Sequence, residues 1–311
     1  MFIDRYGRPV DQMRISVTLR CNHSCIFCHR EGINGMEHRE LTADDWGFVA
    51  KVSVKNDIRY YKLTGGEPLI RNDIVEIVHN IRKAGGTVSI TTNGSLLSIY
   101  AKRLAEEKID HINVSLHSLK NDVFRKITRG NLERVLEGID TALNYGIKLK
   151  LDYVVLTYNF NEFIDIINFA ESKGIDLNII ELIPLGLSKN EYYKLHLPLD
   201  NIIEYLEKES VAKKIREFQT RPVYIMPNGI KITVIKGWCN PELCMRCTRI
   251  RMTPDGKIKT CLFRNDQLVN AWKEIKNRDE KGFEKALKKA VELREPFFKT
   301  KNNCIYLRDK N

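Results

Sequence analysis

Over the first 182 residues, short β-branched runs alternate with amphipathic stretches of helical length. Strands are expected at 13–19 (MRISVTL), 60–64 (YYKLT), 87–91 (TVSIT), 112–116 (INVSL), 148–156 (KLKLDYVVL) and 177–182 (LNIIEL). Helices are expected at 43–55, 72–84, 98–107, 131–144 and 161–172. Six such βα units imply an α/β chain with a parallel sheet and helices packed outside it, either an open doubly wound sheet or an incomplete, TIM-like barrel. In both architectures ligands gather at the carboxyl ends of the strands. Four polar motifs sit at such ends: CNHSCIFC (21–28), GGEP (65–68), TTNG (91–94) and SLHS (115–118). After about residue 185 the alternation gives way to a polar linker (GLSKNEYYKLH), a helix near 200–209 and a β pair (VYIMP, IKITVI). The expected division is therefore an α/β core over 1–185 and a smaller C-terminal region over 186–311.

The chain has 311 residues, enough for a core that needs no disulfide staples. It opens with MFIDRYGRPVDQ rather than a basic and apolar leader, and no uncharged run approaches the ~18 residues of a membrane span. A cytoplasmic protein with no membrane contact is expected. The net charge of +11 by itself admits a nucleic acid, membrane headgroups or a polyanionic small molecule. Between Trp272 and Lys301, however, Lys and Arg alternate with Glu at helical spacing and few aromatics intervene, which reads as a solvated helix face.

Seven of the eight cysteines fall into two groups, Cys21/Cys25/Cys28 and Cys239/Cys244/Cys247/Cys261, with Cys304 apart. In a reducing compartment such grouping points to metal ligation. Structural zinc takes four ligands, so a triplet fits it only if His23 or His29 completes the set. A four-iron cluster fits a triplet better, since three thiolates hold three irons and leave the fourth open to a small-molecule chelate.

The triplet Cys21-x3-Cys25-x2-Cys28 after a first strand, with Phe27 before its last cysteine and GGEP after the second strand, resembles the radical S-adenosylmethionine superfamily. That resemblance implies the radical S-adenosylmethionine fold and reductive cleavage of this cofactor to a 5′-deoxyadenosyl radical. The second group, CMRCTRIRMTPDGKIKTCLF (244–263), is similar to the C-terminal cluster motif of the GTP 3′,8-cyclase family, as are Arg249, Arg251 and the run Arg14, Ile15, Ser16. The likeness spans about residues 4–298 and implies a lyase of molybdenum cofactor biosynthesis. Two [4Fe-4S] clusters are implied, on Cys21, Cys25 and Cys28 and on Cys244, Cys247 and Cys261. Further implied are a GTP site at Arg14, Lys62, Thr91, Lys150, Arg249 and Arg251, and contacts to S-adenosylmethionine from Phe27, Gly66, Ser115 and Ile183. Lys62 and Lys150 are expected at strand ends. Implied partners are GTP, an external reductant and, downstream, cyclic pyranopterin phosphate synthase; a homodimer is left open.

Some positions depart from the family pattern. The chain ends in LRDKN where a Gly-Gly tail is common, Asn178 stands where arginine is usual, and His117 replaces an aspartate. Cys239 is an extra cysteine, expected as a free thiol, and His29 is expected to hydrogen-bond within its loop rather than to ligate. Two other readings compete: a different two-cluster radical enzyme such as a peptide maturase, and a metal-stabilised nucleic-acid binder.

Overall fold

The computed structural model describes residues 1–33, 35 and 39–297; Cys304 and the LRDKN tail lie outside the described residues. Twelve of the described strands join in one sheet. In chain order they are β1 (Gln12–Thr18), β2 (Tyr60–Gly65), β3 (Thr87–Thr92), β4 (His111–Ser115), β5 (Leu149–Val155), β6 (Asp176–Glu181), β7 (Ala212–Ile215), β8 (Pro222–Ile225), β9 (Lys231–Ile235), β10 (Arg249–Met252), β11 (Lys257–Lys259) and β12 (Leu268–Asn270). Their spatial order is β12-β11-β10-β1-β2-β3-β4-β5-β6-β9-β8-β7. The run from β10 through β1–β6 to β9 is parallel throughout, and both margins finish in antiparallel pairs. No break in the sheet coincides with residue 185. Residues beyond it supply β9 and β10 to opposite ends of one parallel array.

The strands alternate, whereas a parallel sheet buried under helices on both faces reads as continuous apolar runs. In β5, Leu149, Leu151, Tyr153 and Val155 are buried while Lys150, Asp152 and Val154 are partly exposed. β10 repeats this with Ile250 and Met252 buried between Arg249 and Arg251. The apolar set joins the main core with the helices α1 (Ala43–Lys55), α2 (Ile74–Lys83), α3 (Leu97–Glu106), α5 (Leu132–Asn144) and α6 (Phe163–Lys173). The other set is polar and faces a cavity on the concave side of the sheet.

The six expected strands and five expected helices are all present, within two residues of their expected bounds. The sequence reading missed α4 (Asn121–Thr128), whose run NDVFRKIT is short and strongly charged. It also missed β7, β11 and β12, which are three or four residues long at sheet margins, too short for alternation to register. The charged stretch after Trp272 forms α7 (Trp272–Lys276) and α8 (Glu280–Glu292), with Phe283, Leu287, Ala290 and Val291 buried beneath exposed Lys and Glu. No helix among the described residues is long and apolar enough to cross a membrane.

α7 and the turn after it are tied to the front of the chain by one carboxylate. Asp45 forms a capping box with Thr42 at the start of α1 and also accepts from Lys276 Nζ (2.9 Å) and Arg278 Nη1 (2.7 Å). Burial opposes its ionisation, but these hydrogen bonds outweigh it and hold the Asp45 carboxyl below the usual aspartate range. A depressed pKa stabilises the fold at neutral pH, and that stabilisation is lost as pH falls through the folded-state value. Asp45→Ala should cost about 2 kcal/mol in urea unfolding at pH 7, on the scale of a lost cap plus charged hydrogen bonds. The gap from the parent protein should narrow in acid below the normal aspartate pKa; a gap independent of pH would show that Asp45 folds uncharged.

Candidate functional site

All sixteen residues expected in a site from the sequence line one cavity of about 770 Å³. The strand alternation explains most of them. Arg14 (β1), Lys62 (β2), Thr91 (β3), Ser115 (β4), Lys150 (β5), and Arg249 and Arg251 (β10) occupy inward positions on neighbouring strands. Register places Arg14 beside both Lys62 and Arg251. Lys62 lies in the middle of its strand and Lys150 near the start of its own, not at strand ends as expected. They reach the cavity by pointing inward rather than by terminating a strand.

The first cysteine loop is built by its neighbours. Ser24 and Ile26 N–H donate to the carbonyls of Thr128 and Ile127 at the end of α4 (2.9 Å each). Asn93 of TTNG donates through Nδ2 to Asn22 Oδ1 (2.8 Å). Cys21, Cys25 and Cys28 are free thiols. Burial, and then the charges of Cys28 and Cys21, push the Cys25 thiol up to about 12; Cys21 is likewise raised, mainly by burial. For Cys21 and Cys25, then, a buried thiolate is costly unless a cation sits beside it, which is the environment of a metal-ligating cysteine. Among the described residues no three His, Cys, Asp or Glu side chains converge as ligands of a single ion. A cubane makes no such demand, because each thiolate takes a different iron.

Beside this loop, Gly66 donates its N–H to the Thr18 carbonyl (2.8 Å), and a Cβ there would stand 2.0 Å from the Arg20 carbonyl oxygen. The backbones of the first two strand ends can meet only because that position has no side chain. Glu67 accepts from Leu69 N–H (2.9 Å), Thr92 Oγ1 (2.6 Å) and Asn93 N–H (2.6 Å), which locks GGEP to TTNG. Burial outweighs those bonds and raises its pKa to about 7. Phe27 stands edge-on to His117 at 4.8 Å between ring centroids. His117 accepts from Val154 N–H through Nδ1 (3.2 Å), and burial lowers its pKa to about 4. Ile183 lines the same cavity.

The second cysteine group is held by buried arginines. Arg8 donates to the Cys244 carbonyl (2.8 Å) and Arg294 to the Cys247 carbonyl, and both guanidiniums pair with Asp4. Lys259 holds the loop after Cys261 by donating to the Arg264 carbonyl and Asn265 Oδ1. Cys247 and Cys261 are free thiols. Burial opposes the Cys247 thiolate, but Arg249, a backbone N–H, Arg294 and Arg251 overcome it and lower its pKa. Cys239 is disulfide-bonded, against the expectation of a free thiol. The Nδ1 of His29 is buried without a hydrogen-bond partner, so the hydrogen bond expected of it comes instead from its backbone carbonyl, which accepts from Gly32 N–H (2.7 Å).

Three features of the site went unread in the sequence. Glu31, almost fully buried, accepts from Arg14 Nη2 (2.9 Å), Arg251 Nη1 (2.5 Å) and Thr64 Oγ1 (3.1 Å). Burial opposes its charge, but Arg14 and Arg251 hold its carboxyl far below the usual range. Asp152 Oδ1 accepts from Asn113 (2.8 Å) and Asn178 (2.6 Å), while Lys62 Nζ donates to Asn113 Oδ1 (2.6 Å). Burial lowers the Lys62 pKa to about 7, Asp152 opposing and Arg14, Arg249 and Lys150 reinforcing the fall. A turn at 216–221 adds Arg216 and Arg221 to the cavity lining. The signal available for the first two was polar alternation inside strands and the acid placed three residues after Cys28.

Gly32 links the two cysteine groups. Its φ is +61°, and a Cβ would fall 2.2 Å from the backbone oxygen of Leu262, next to Cys261. Gly32→Ala should therefore lower iron content of anaerobically reconstituted protein by roughly half, through loss at the second site, with four irons per cubane. Full iron in both sites would show that the Leu262 backbone yields freely.

Comparison with known proteins adds to this geometry. The Radical SAM superfamily profile matches residues 15–170, and the Molybdenum Cofactor Synthesis C profile matches residues 175–300. A probable GTP 3′,8-cyclase of Saccharolobus islandicus (strain L.S.2.15 / Lassen #1) is 42% identical over 96% of this chain and 99% of its own length. One from Metallosphaera sedula is 39% identical, covering 96% of each chain. Among solved structures, Streptococcus suis SuiB bound to S-adenosylmethionine superposes with a TM-score of 0.67 at 16% identity, over 86% of this chain and 64% of that one. Native anSMEcpe with bound AdoMet gives 0.59 at 16% identity, over 86% and 81%. At such identities these two structures speak to the fold alone.

Proposed function

This chain belongs to the GTP 3′,8-cyclase family within the radical S-adenosylmethionine superfamily, and we infer that it rearranges GTP to (8S)-3′,8-cyclo-7,8-dihydroguanosine 5′-triphosphate. This is the opening reaction of molybdenum cofactor biosynthesis. The observation that carries the reading is that both cysteine triplets open into the one cavity whose inward strand positions are cationic. A peptide maturase has no use for that density of positive charge, and a nucleic-acid binder would carry it on an open face.

The residues fit the cofactors the family uses. Cys21, Cys25 and Cys28 would hold one [4Fe-4S] cluster and Cys244, Cys247 and Cys261 the other. When bound, the first cluster with S-adenosylmethionine supplies a hydrogen-abstracting 5′-deoxyadenosyl radical. The protein's own part is positioning. Gly66 and the GGEP–TTNG lock keep the first strand ends close, and Phe27, Ser115 and Ile183 would flank S-adenosylmethionine. Arg14, Lys62, Thr91, Lys150, Arg249 and Arg251 would orient GTP so that its ribose faces the first site and its base the second. Misplacing a reacting atom by about 1 Å costs ~100-fold. Residues 1–185 would thus carry cofactor cleavage and part of the GTP site, and 186–311 the second cluster and the remaining GTP contacts, although one sheet serves both. Electrons would come from a separate reductant, the product would pass to cyclic pyranopterin phosphate synthase, and the reaction would run in the cytoplasm.

Three outcomes test this reading. Cys25→Ser should retain roughly four irons and form no 5′-deoxyadenosine; continued cleavage of S-adenosylmethionine would remove the first site from where it is placed. Arg249→Ala should keep roughly eight irons and slow, uncoupled 5′-deoxyadenosine release while losing cyclised product by at least ~100-fold. Undiminished cyclisation with full iron would exclude that side of the cavity. GTP affinity should also fall as pH rises through about 7, because the Lys62 ammonium that attracts the phosphates deprotonates there in the free protein. Lys62→Ala should bind more weakly at pH 6 and lose that step; persistence of the step in the variant would assign it to another group.

A further inference from the structure

The cations of the cavity are not equivalent. Arg14 and Arg251 share the buried carboxylate of Glu31, so half of that corner's positive charge is cancelled before any substrate arrives. Lys150 has Asp176 at 4.0 Å. Arg216, Arg221 and Arg249, by contrast, have no carboxylate within ion-pair distance among the described residues, yet they converge on one aromatic ring. Their guanidinium carbons stand 5.7, 5.8 and 5.1 Å from the centre of Phe218. An aromatic face attracts a cation by a modest amount, whereas three guanidiniums around one ring repel one another unless an anion joins them.

The turn that brings them together is costly and anchored. Gln219 and Thr220 have φ of +60° and +46°, a conformation that non-glycine residues adopt only when their surroundings impose it. Gln219 N–H donates to the Arg246 carbonyl (3.2 Å), and its side-chain amide approaches Cys247 Sγ (3.6 Å). Gln219 also accepts from Arg221, whose Nε is buried without a partner. Burial and the charge of Arg216 lower the Arg221 pKa to about 10, with Cys247 and Asp152 opposing. Arg216 is exposed at the cavity rim. The result is an unneutralised cationic arc running from solvent to the second cysteine group.

We propose that the turn from Arg216 to Arg221 receives the terminal phosphates of the nucleotide, with Arg216 and Arg221 contacting the phosphate oxygens and Phe218 holding Arg249 toward them. The proposal rests on the reading of the cavity as a nucleotide site. It assigns the corner half-neutralised by Glu31 to the less charged part of the substrate. Charge thereby becomes a measure of substrate length: a nucleoside monophosphate would not reach the arc, and a triphosphate would.

The test is equilibrium binding of GTP, GDP and GMP to protein with both clusters reconstituted. The parent protein should prefer GTP to GMP. In the double variant Arg216→Ala/Arg221→Ala, GTP affinity should fall ~10-fold for each arginine removed, the scale of a charge-assisted contact. GMP affinity should fall less than ~3-fold, so the preference for GTP collapses. Arg216→Glu guards against misfolding, because the side chain is exposed: it should keep full iron and weaken GTP more than Arg216→Ala does. Full iron with an undiminished GTP-to-GMP preference in the double variant, or parent-like GTP binding by Arg216→Glu, would overturn the proposal. If the parent protein itself shows no preference for GTP over GMP, the reading of the cavity as a GTP site fails, and the proposal with it.

Discussion

A cavity that collects cations for a polyanion must survive without it, and the interaction that makes this possible is the carboxylate of Glu31 between Arg14 and Arg251. A lone buried charge is expensive, and two adjacent buried guanidiniums are worse. Placed between them, Glu31 turns both problems into a pair of charge-assisted hydrogen bonds, with Thr64 satisfying a further lone pair. Removing one partner would leave the others uncompensated, which is why such groups fail together. The backbone accepts strain to put Glu31 there: Arg30 and Glu31 both have positive φ, at +46° and +52°, ahead of Gly32. The loop bearing the first cysteine triplet is thus pinned to the strand that follows Cys247, and the two halves of the site keep a fixed relation.

That relation also depends on how the sheet is closed off. β10 adds parallel to β1 and β9 adds parallel to β6, so residues far along the chain extend both ends of the fan. Each added strand then folds back through antiparallel partners, β11 and β12 on one side and β8 and β7 on the other. The short helix Pro241–Met245 and the turn at 218–220 meet between these margins, where Gln219 bonds to the Arg246 backbone. The second cysteine group is thereby set facing the cavity rather than on a detached domain, and the arginines after Cys247 enter as inward positions of a strand.

The six βα units were legible because each strand and helix is long enough for its period to register, and the cysteine triplets because their spacing has few structural explanations. The marginal strands were not, since three or four residues carry no period. Neither was the role of Glu31, because an acid beside a cysteine loop looks like any surface acid until its two arginines, 17 residues before it and 220 after it, are brought to it by the fold. Polar alternation within the strands was visible but admits two meanings, a solvated face or a lined cavity, and only the helices covering the opposite face decide between them. The disulfide at Cys239 could not be inferred from spacing, which left it an extra cysteine beside the ligands and expected as a free thiol.

An eight-stranded closed barrel fills its interior with layers of side chains, so its ligands are confined to the mouth. Here the parallel array also has eight strands, β10, β1–β6 and β9, but its two ends pair outward with hairpins instead of with each other. The array is therefore open, and the inward residues line a cavity of about 770 Å³ rather than filling it. That volume lies within the range of small-molecule and cofactor sites. The inward positions then have to be polar, because an apolar lining of that size would exclude the charged nucleotide and favour collapse of the ring. Alternation along the strands and openness of the barrel are two consequences of one requirement, that the interior stay accessible to a charged substrate while the exterior stays packed.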